Sequence, residues 1–413
     1  MINYFYDCYT ILNKVYSAKT YLKQAISSTI IEEKNRSLTI KTCYGVLERD
    51  RELSFYISSL VKKSPKLAIR TILKIAFYAI KYLSKPVYAV TENAVELVKK
   101  LGKSGASGFV NAILRKFNMM QFELPEDKIS RLVIKYSFPE VFIKEIVKDY
   151  KEDRLDSILV PREVKTCVTF FDVDGEEYLK EKGFTFHKTP FFNTFLVDNF
   201  KRNLDYDKGV YTFQSIGSVA ICEEVEPGEK LLDCCAAPGG KSVKLSKKFK
   251  QITALELHPH RVELIKEYAN RIHVENITAM QYDSTILNPD FIDKFDAVLC
   301  DVPCSGSGVV NENPDIKLKD NIDLDSIVKT QLSILKNASK YVKPNGYIYY
   351  STCSIFAKEN LGVINAFMSD IKGFEIVKID SKLKHESLVG ENQFIPDISL
   401  GVGFFICKLK RVI

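Results

Sequence analysis

The 413-residue chain lacks any apolar run of the roughly 20 residues that a membrane-spanning helix needs, and residues 1–25 lack the basic and apolar stretches of a secretory signal. We therefore expect a cytoplasmic protein with no membrane partner. The ten cysteines include no C-x-x-C pair, which argues against a zinc knuckle and a disulfide framework. We predict no metal site, and expect most cysteines to be buried, reduced thiols.

Acidic residues are scarce in the N-terminal part of the chain. Residues 1–125 carry 20 Lys and Arg against 9 Asp and Glu, a net +11, whereas the whole chain carries only +7. A local positive excess beside Phe and Tyr is typical of a nucleic-acid surface. Lys-rich helices can equally be solvated faces, so the charge alone leaves both interpretations open.

The spacing of apolar residues changes along the chain and divides it into parts. Through residues 1–118 apolar residues recur every three or four positions, which predicts an all-α bundle. A break follows at about 120–130, and then Ser137–Tyr150 predicts one more helix. Short β-type runs around one helix predict a small α+β insert. The predicted parts are a helical domain at 1–125, a helical linker at 126–160, the α+β insert at 161–208, and a last domain at 209–413.

From Gly228 onwards the pattern repeats as strand, loop and helix, which is typical of a doubly wound, mostly parallel sheet. The predicted strands are Lys230–Cys235, Ile252–Leu257, Ile277–Gln281, Phe295–Cys300 and Gly346–Tyr350. Two later runs, Phe374–Ile379 and Gly403–Leu409, are expected to add edge strands. Ligands of such sheets bind outside the carboxyl ends of the strands, so the functional residues are expected there.

The first predicted strand runs into a Gly-rich loop, Asp233–Lys241. Its paired glycines allow the backbone to approach a ligand closely, although tight strand-to-helix turns also use glycine for steric reasons. Glu256 ends the second strand, where a carboxylate can accept both hydroxyls of a ribose, and Asp283 ends the third. Both could instead be solvated carboxylates. Neither G-x-G-x-x-G nor G-x-x-x-x-G-K-[ST] occurs, which disfavours a dinucleotide oxidoreductase and a P-loop protein.

Cys304 and Cys353 each follow an apolar strand and stand in a polar loop of small residues. We expect both thiols and Asp301 to share one crevice with the Gly-rich loop, because the carboxyl ends of parallel strands meet at one edge. A pyrimidine carbon attacks a sulfonium methyl only after a thiolate has added to the neighbouring ring carbon. Asp301 is placed to hydrogen-bond the cytosine ring, and a second thiol could assist release. The spacing leaves the order of the two thiols open.

Four motifs resemble those of RNA 5-methylcytosine methyltransferases: Asp233–Lys241, Asp301–Gly306, Asn313–Lys317, and Ser351–Ser354 with Glu359 and Asn360. Three N-terminal segments resemble the NusB-like RNA-binding domain fused to bacterial ribosomal RNA small subunit methyltransferase B (Sun): Tyr44–Arg49, Ala89–Val95 and Gly108–Arg115. The resemblance covers nearly the whole chain. It implies an α/β Rossmann-like methyltransferase domain preceded by a NusB-like helical bundle and a small α+β insert that binds RNA.

The resemblance implies S-adenosylmethionine as donor and carbon 5 of a specific cytosine in 16S ribosomal RNA as acceptor. We also expect a monomer. It makes Cys353 the nucleophile that forms a thioether with the ring, Cys304 the thiol that assists release, and Asp301 the third catalytic residue. Lys241 either approaches the target base, caps the loop or neutralises the carboxylate of the cofactor. The implied cofactor-binding residues are Cys235, Ala236, Ala237, Pro238, Gly239, Gly240, Lys241, Glu256, Asp283 and Asp301.

The chain departs from the family pattern at two places that bear on RNA contacts. Asn311–Asn313 stand where the family often has basic residues, and Cys167–Thr169 replace an expected Arg-x-Asn. One alternative is an RNA-binding ribosome-assembly factor without turnover, against which the intact Cys353, Cys304 and Asp301 argue. Another is a DNA cytosine methyltransferase, which would attack through Cys304.

Overall fold

The structure is a computed structural model that describes residues 2–413, with side chains from Tyr4 onwards, so that Met1 lies outside the described residues. The chain folds into two compact units. Unit 1 contains the residues up to Pro161 together with Val310–Ile322, and unit 2 contains Arg162–Val309 and Asp323–Ile413. Val310–Ile322 therefore belongs to the N-terminal unit although it is encoded within the C-terminal half of the chain.

Unit 1 is an all-α bundle, as the apolar spacing predicts. Its described helices are α1 (Ile2–Ala18), α2 (Leu22–Ser27), α3 (Glu33–Glu48), α4 (Asp50–Leu60), α5 (Leu67–Lys81), α6 (Val87–Lys100), α7 (Ser107–Met119), α8 (Lys128–Tyr136), α9 (Glu140–Asp149) and α10 (Leu155–Leu159). Helix α5 is buried over almost its whole circumference, which makes it the centre of the bundle. The ring of Phe77 in α5 stacks on that of Phe117 in α7, with centroids 3.9 Å apart.

Lys317 fixes the inserted segment, Val310–Ile322, to two helices of unit 1. Its side chain is fully buried, and Nζ donates to the carbonyl oxygens of Glu48 at 3.4 Å and Tyr136 at 3.1 Å. These are the last residues of α3 and α8, where helix carbonyls carry partial negative charge. The ammonium also lies over the ring of Phe138, 4.3 Å from its centroid. Burial lowers the pKa of Lys317 to about 8, because it disfavours the charged form.

We expect Lys317→Met to remove a pH dependence of stability. Between the folded pKa of about 8 and the ordinary Lys value of about 10.4, only the unfolded chain holds this proton, so the stability of the native protein rises with pH. Over that window the native protein should gain up to about 3 kcal/mol relative to the variant. Urea unfolding of both proteins at about pH 7 and pH 10 measures the difference. If the free energies of unfolding of the two proteins change in parallel with pH, the pKa of Lys317 is not lowered in the folded protein.

Unit 2 begins with a small α+β subdomain. Its elements are β1 (Thr166–Phe170), α11 (Gly175–Glu181), β2 (Phe186–Lys188), β3 (Thr194–Val197), α12 (Leu204–Asp207) and β4 (Tyr211–Phe213). The strands form one antiparallel sheet in the order β2-β3-β1-β4, so that β4 extends the sheet beyond residue 208. Cys167 and Thr169 of β1 are both buried in this sheet.

The rest of unit 2 is a doubly wound sheet flanked by helices. Its elements are α13 (Ile216–Glu224), β5 (Gly228–Asp233), α14 (Gly240–Leu245), β6 (Phe249–Glu256), α15 (Pro259–Arg271), β7 (Ile277–Gln281), β8 (Phe295–Asp301), α16 (Leu324–Tyr341), β9 (Val342–Thr352), α17 (Leu361–Asp370), β10 (Phe374–Val377), β11 (Asn392–Phe394) and β12 (Phe404–Arg411). The strand order is β10-β12-β9-β8-β5-β6-β7, and β11 also pairs with β12. The five strands from β5 to β9 are parallel, which confirms the predicted fold class.

The prediction that Gly403–Leu409 forms an edge strand is wrong. Strand β12 lies between β9 and β10 and is antiparallel to both. Its residues from Phe404 to Leu409 are buried on both faces, as expected of an interior strand. A short apolar run at the end of a chain carries no signal for its place in the sheet, because pairing order is decided by packing.

No helix among residues 2–413 combines the length and the apolar character that crossing a bilayer requires.

Candidate active site

The structure brings Cys304 and Cys353 together, with their Sγ atoms 2.9 Å apart. Strands β8 and β9 are neighbours in parallel register, with Asp301 opposite Ser351, so the loops that follow them leave the sheet side by side. Both thiols are partly exposed. The hydrogen bond with Cys353, together with burial, raises the pKa of the Cys304 thiol well above its usual range. Either sulfur can be the donor in this contact, and the raised pKa favours the protonated form of Cys304.

Asp301 and Lys241 form an ion pair beside the thiols. Lys241 Nζ donates to Asp301 Oδ2 at 2.6 Å, and Ser351 Oγ donates to Asp301 Oδ1 at 2.8 Å. Burial alone would lower the pKa of Lys241, but the Asp301 carboxylate, with smaller contributions from Cys222 and Cys353, raises it above its usual range. The site thus holds a permanent ammonium close enough to Cys353 for their charges to interact.

A buried carboxylate joins the two cysteine loops. Glu359 is fully buried, and its Oε2 accepts from the hydroxyls of Ser305 and Ser354, both at 2.6 Å. Its Oε1 accepts from the backbone N–H of Ser305 at 2.8 Å and from Gln331 Nε2 at 3.2 Å. Ser305 and Ser354 directly follow Cys304 and Cys353, so one side chain sets the separation of the thiol loops. The motif contained Glu359, but nothing in its spacing indicated this contact.

A close approach of two glycines supports the Cys304 loop. Gly308 N donates to the carbonyl of Cys353 at 3.0 Å, and Gly403 N donates to the carbonyl of Gly308 at 2.7 Å. A Cβ on Gly308 would lie 2.0 Å from the carbonyl oxygen of Gly403. Only glycine allows this backbone contact, which links the start of β12 to both cysteine loops.

The Gly-rich loop connects β5 to α14 at the same edge of the sheet. Asp233 ends β5 and is buried, where Ser242 Oγ donates to its Oδ2 at 2.6 Å. Burial raises the pKa of Asp233 to about 6. Gly239 adopts a left-handed conformation with φ of 104° before α14 begins at Gly240. The intervening residues, Cys234 to Pro238, cross the carboxyl ends of the strands and include the candidate ligand-binding residues Cys235, Ala236, Ala237 and Pro238.

The two strand-end carboxylates have different environments. Glu256, at the end of β6, is buried, and its Oε1 accepts from His258 N at 3.1 Å and from Arg261 Nη1 at 3.3 Å. No donor within the described part of the chain reaches its Oε2. Asp283 is partly exposed, and its Oδ1 accepts from both the backbone N–H and the hydroxyl of Thr285, at 2.9 and 2.7 Å. Glu256 therefore keeps a free acceptor at the sheet edge, whereas one oxygen of Asp283 closes a turn.

The doubly wound sheet contains one antiparallel strand, β12, and carries the Gly-rich loop and the strand-end carboxylates at the carboxyl ends of its strands. This arrangement defines a Rossmann-like methyltransferase. The family model for the 16S rRNA methyltransferase RsmB/F matches residues 220–410, and that for the NusB family matches residues 6–119. The probable ribosomal RNA small subunit methyltransferase B of Bacillus subtilis is 31% identical over 97% of this chain and 95% of its own length. The chain belongs to the ribosomal RNA small subunit methyltransferase B family, which confirms the resemblance of its motifs.

A second relative is similar over most of its length, and two solved structures share the fold. Ribosomal RNA small subunit methyltransferase B of Photorhabdus laumondii is 28% identical over 92% of both chains. The crystal structure of PH0851 shares the fold with a TM-score of 0.83 at 21% identity, covering 99% of this chain and 98% of that one. NSun6 from Pyrococcus horikoshii, solved with SFG, gives a TM-score of 0.59 at 18% identity, covering 67% of this chain and 99% of that one.

Proposed function

We propose that the protein transfers the methyl group of S-adenosylmethionine to carbon 5 of a cytosine in 16S ribosomal RNA. The observation that carries the proposal is the thiol pair, with Sγ atoms 2.9 Å apart, beside the ion pair of Asp301 and Lys241. A protein that only bound RNA would need neither two adjacent thiols nor a buried carboxylate between their loops. Family membership supplies the RNA substrate class.

The residues around the Gly-rich loop fit an adenosyl donor. Gln214 Nε2 is buried without a hydrogen-bond partner among the described residues, and it lies 3.7 Å from where a Cβ on Gly240 would stand. A ligand carboxylate at this loop would satisfy that donor. Cys235 to Lys241 would hold the methionine part, and the free Oε2 of Glu256 would accept from the ribose, with Asp283 and Asp301 completing the site. The donor supplies an electrophilic methyl group on a sulfonium.

In the proposed reaction Cys353 attacks as a thiolate. Its sulfur forms a bond to carbon 6 of the cytosine, and the electron pair released into the ring makes carbon 5 nucleophilic towards the methyl group. The Lys241 ammonium stabilises the thiolate, since it is close enough for their charges to interact. Asp301 orients that ammonium and can accept from the exocyclic amine of the base, which stabilises the adduct.

Release requires loss of the proton on carbon 5 and cleavage of the bond between Cys353 and carbon 6. Cys304 is the proposed base, and its protonation follows the state of Cys353. In the free enzyme the contact with Cys353 is the largest cause of the raised pKa of Cys304. A thioether sulfur carries no charge, so forming the adduct lowers the cost of ionising Cys304, which then loses its proton to solvent. Cys304 can then accept the carbon-bound proton while the ring expels Cys353 as thiolate.

We expect Lys241→Met to shift the pH dependence of methyl transfer. Without the ammonium, the pH of half-maximal rate should rise and the rate at neutral pH should fall by about 100-fold. Single-turnover transfer between about pH 6 and pH 9 measures this. Lys244→Met is a matched control, because Lys244 lies on the same helix and pairs with Glu223 at 3.2 Å. If Lys241 only neutralises the donor carboxylate, the KM for the donor rises without a pH shift.

Bisulfite mapping tests the proposed function directly. Ribosomal RNA from cells with and without the gene should differ at one cytosine of the 16S molecule, and the purified protein with labelled S-adenosylmethionine should restore that methyl group. An unchanged pattern of methylated cytosines would favour a ribosome-assembly factor without turnover.

A further inference from the structure

Unit 1 contains a cleft of about 1200 Å³, separate from the cysteine site. Its walls are the end of α1 with the residues after it, helices α4 and α5 with the loop between them, part of α8, and Asp315 with Leu318–Ile322 of the inserted segment. Its volume exceeds the roughly 300–1,000 Å³ of a small-molecule site. This size favours an extended ligand over a metabolite.

The cleft carries a surplus of positive charge. Its cations are Lys19, Arg51, Lys62, Arg70, Lys74 and Lys319, and its carboxylates are Asp50, Asp315 and Asp320. Lys74 pairs with Asp50 at 2.6 Å, and Arg51 pairs with Asp320. Within the described residues, the other four cations of the cleft have no carboxylate at ion-pair distance, and Asp315 is the one of its three carboxylates that forms no ion pair. An anionic ligand would therefore meet a net attraction.

An exposed aromatic ring lies among these charges. Tyr21 lines the cleft and is 63% exposed, between Lys19 on one side in sequence and α2 on the other. The hydroxyl-bearing residues Thr20, Ser58 and Ser64 also line it. Cations that can follow a phosphate backbone, combined with an aromatic face for a base, are typical of sites for single-stranded nucleic acid.

We propose that this cleft binds a single-stranded segment of the RNA substrate, with phosphates on Lys19, Lys62 and Arg70 and one base stacked on Tyr21. The inference rests on the proposed RNA methylation and adds a second place where the substrate is held. Part of the cleft wall, Leu318–Ile322, belongs to the segment that follows the Cys304 loop in sequence.

Matched variants of the full-length protein test the cleft. Lys62→Glu should weaken binding of a labelled oligouridylate of about ten nucleotides by roughly tenfold, and should lower the salt slope of log Kd by about 0.7 for the lost phosphate contact. Lys63→Glu is the control, since Lys63 is the exposed neighbour that does not line the cleft. Tyr21→Ala should weaken binding by at least about fivefold, whereas Tyr88→Ala, which removes a 78% exposed ring on α6, should not.

Methylation of 16S ribosomal RNA separates this inference from the proposed function. The cleft variants should raise the KM for RNA and leave kcat unchanged. If Lys62→Glu and Lys63→Glu bind the oligonucleotide equally, or if the native protein does not bind it, the cleft proposal is overturned while methylation stands. If the native protein methylates no ribosomal RNA, the proposed function fails, and oligonucleotide binding still reports on the cleft.

Discussion

Replacing Cys353 with Ser should abolish methyl transfer and covalent capture of RNA together, with a loss of rate of at least about 10³-fold. The hydroxyl of Ser is far less acidic than a thiol, so no nucleophile remains to open the ring towards carbon 5. The measurement is transfer of labelled methyl groups to 16S ribosomal RNA, with denaturing gels that show any enzyme attached to RNA.

Cys304→Ser should instead leave the enzyme covalently attached to RNA on the denaturing gel. This variant keeps the nucleophile but lacks the proposed base, so the methylated adduct should accumulate as a slowly migrating band. Cys43→Ala is a suitable control, because Cys43 is buried in α3 of unit 1 and should leave both readouts unchanged. An adduct with Cys353→Ser and none with Cys304→Ser would reverse the roles and favour attack through Cys304.

Glu359→Leu should lower kcat by at least about 100-fold and reduce the free energy of unfolding by about 2–5 kcal/mol. The leucine fills much of the space but leaves the Ser305 N–H and the hydroxyls of Ser305 and Ser354 without their acceptor. Both cysteine loops are then free to separate. Glu359→Gln should recover part of the activity, because its oxygen still accepts and the hydroxyls can rotate to accept from its amide.

Glu391→Gln provides the control for a purely structural effect. Glu391 is also buried and accepts from the backbone N–H groups of Leu388 and Val389, at 3.0 and 2.9 Å, but it contacts neither cysteine loop. Its substitution should lower stability and leave kcat intact. If both glutamate variants lose activity in proportion to stability, Glu359 has no specific positioning role.

The parts of the fold that follow from local pattern were predictable. The five parallel strands came from repeated alternation, and the neighbouring positions of Cys304 and Cys353 followed because parallel strands end at one edge. The interior position of β12 did not follow, since strand order depends on long-range packing. The hydrogen bonds from Ser305 and Ser354 to Glu359 could not be predicted either, because hydrogen bonds between loops leave no periodic signal in the sequence.

The position of the inserted segment could not be predicted from local sequence pattern either. Asn313–Lys317 was recognised as a motif, yet nothing in its composition indicated that Lys317 would be buried at the ends of two helices of unit 1. A lysine in a polar stretch is normally read as solvated. Its position became clear only with the carbonyl oxygens of Glu48 and Tyr136 in place.

That placement of Val310–Ile322 has a consequence for the order of folding during synthesis. Helices α1 to α10 leave the ribosome long before the segment that completes their unit, and the bond from Lys317 to Glu48 spans 269 residues of chain. Contacts so distant in sequence form late and carry a high entropic cost of loop closure. Unit 1 therefore stays incomplete, with the carbonyl ends of α3 and α8 uncapped by Lys317, until β8 and the Cys304 loop have been synthesised.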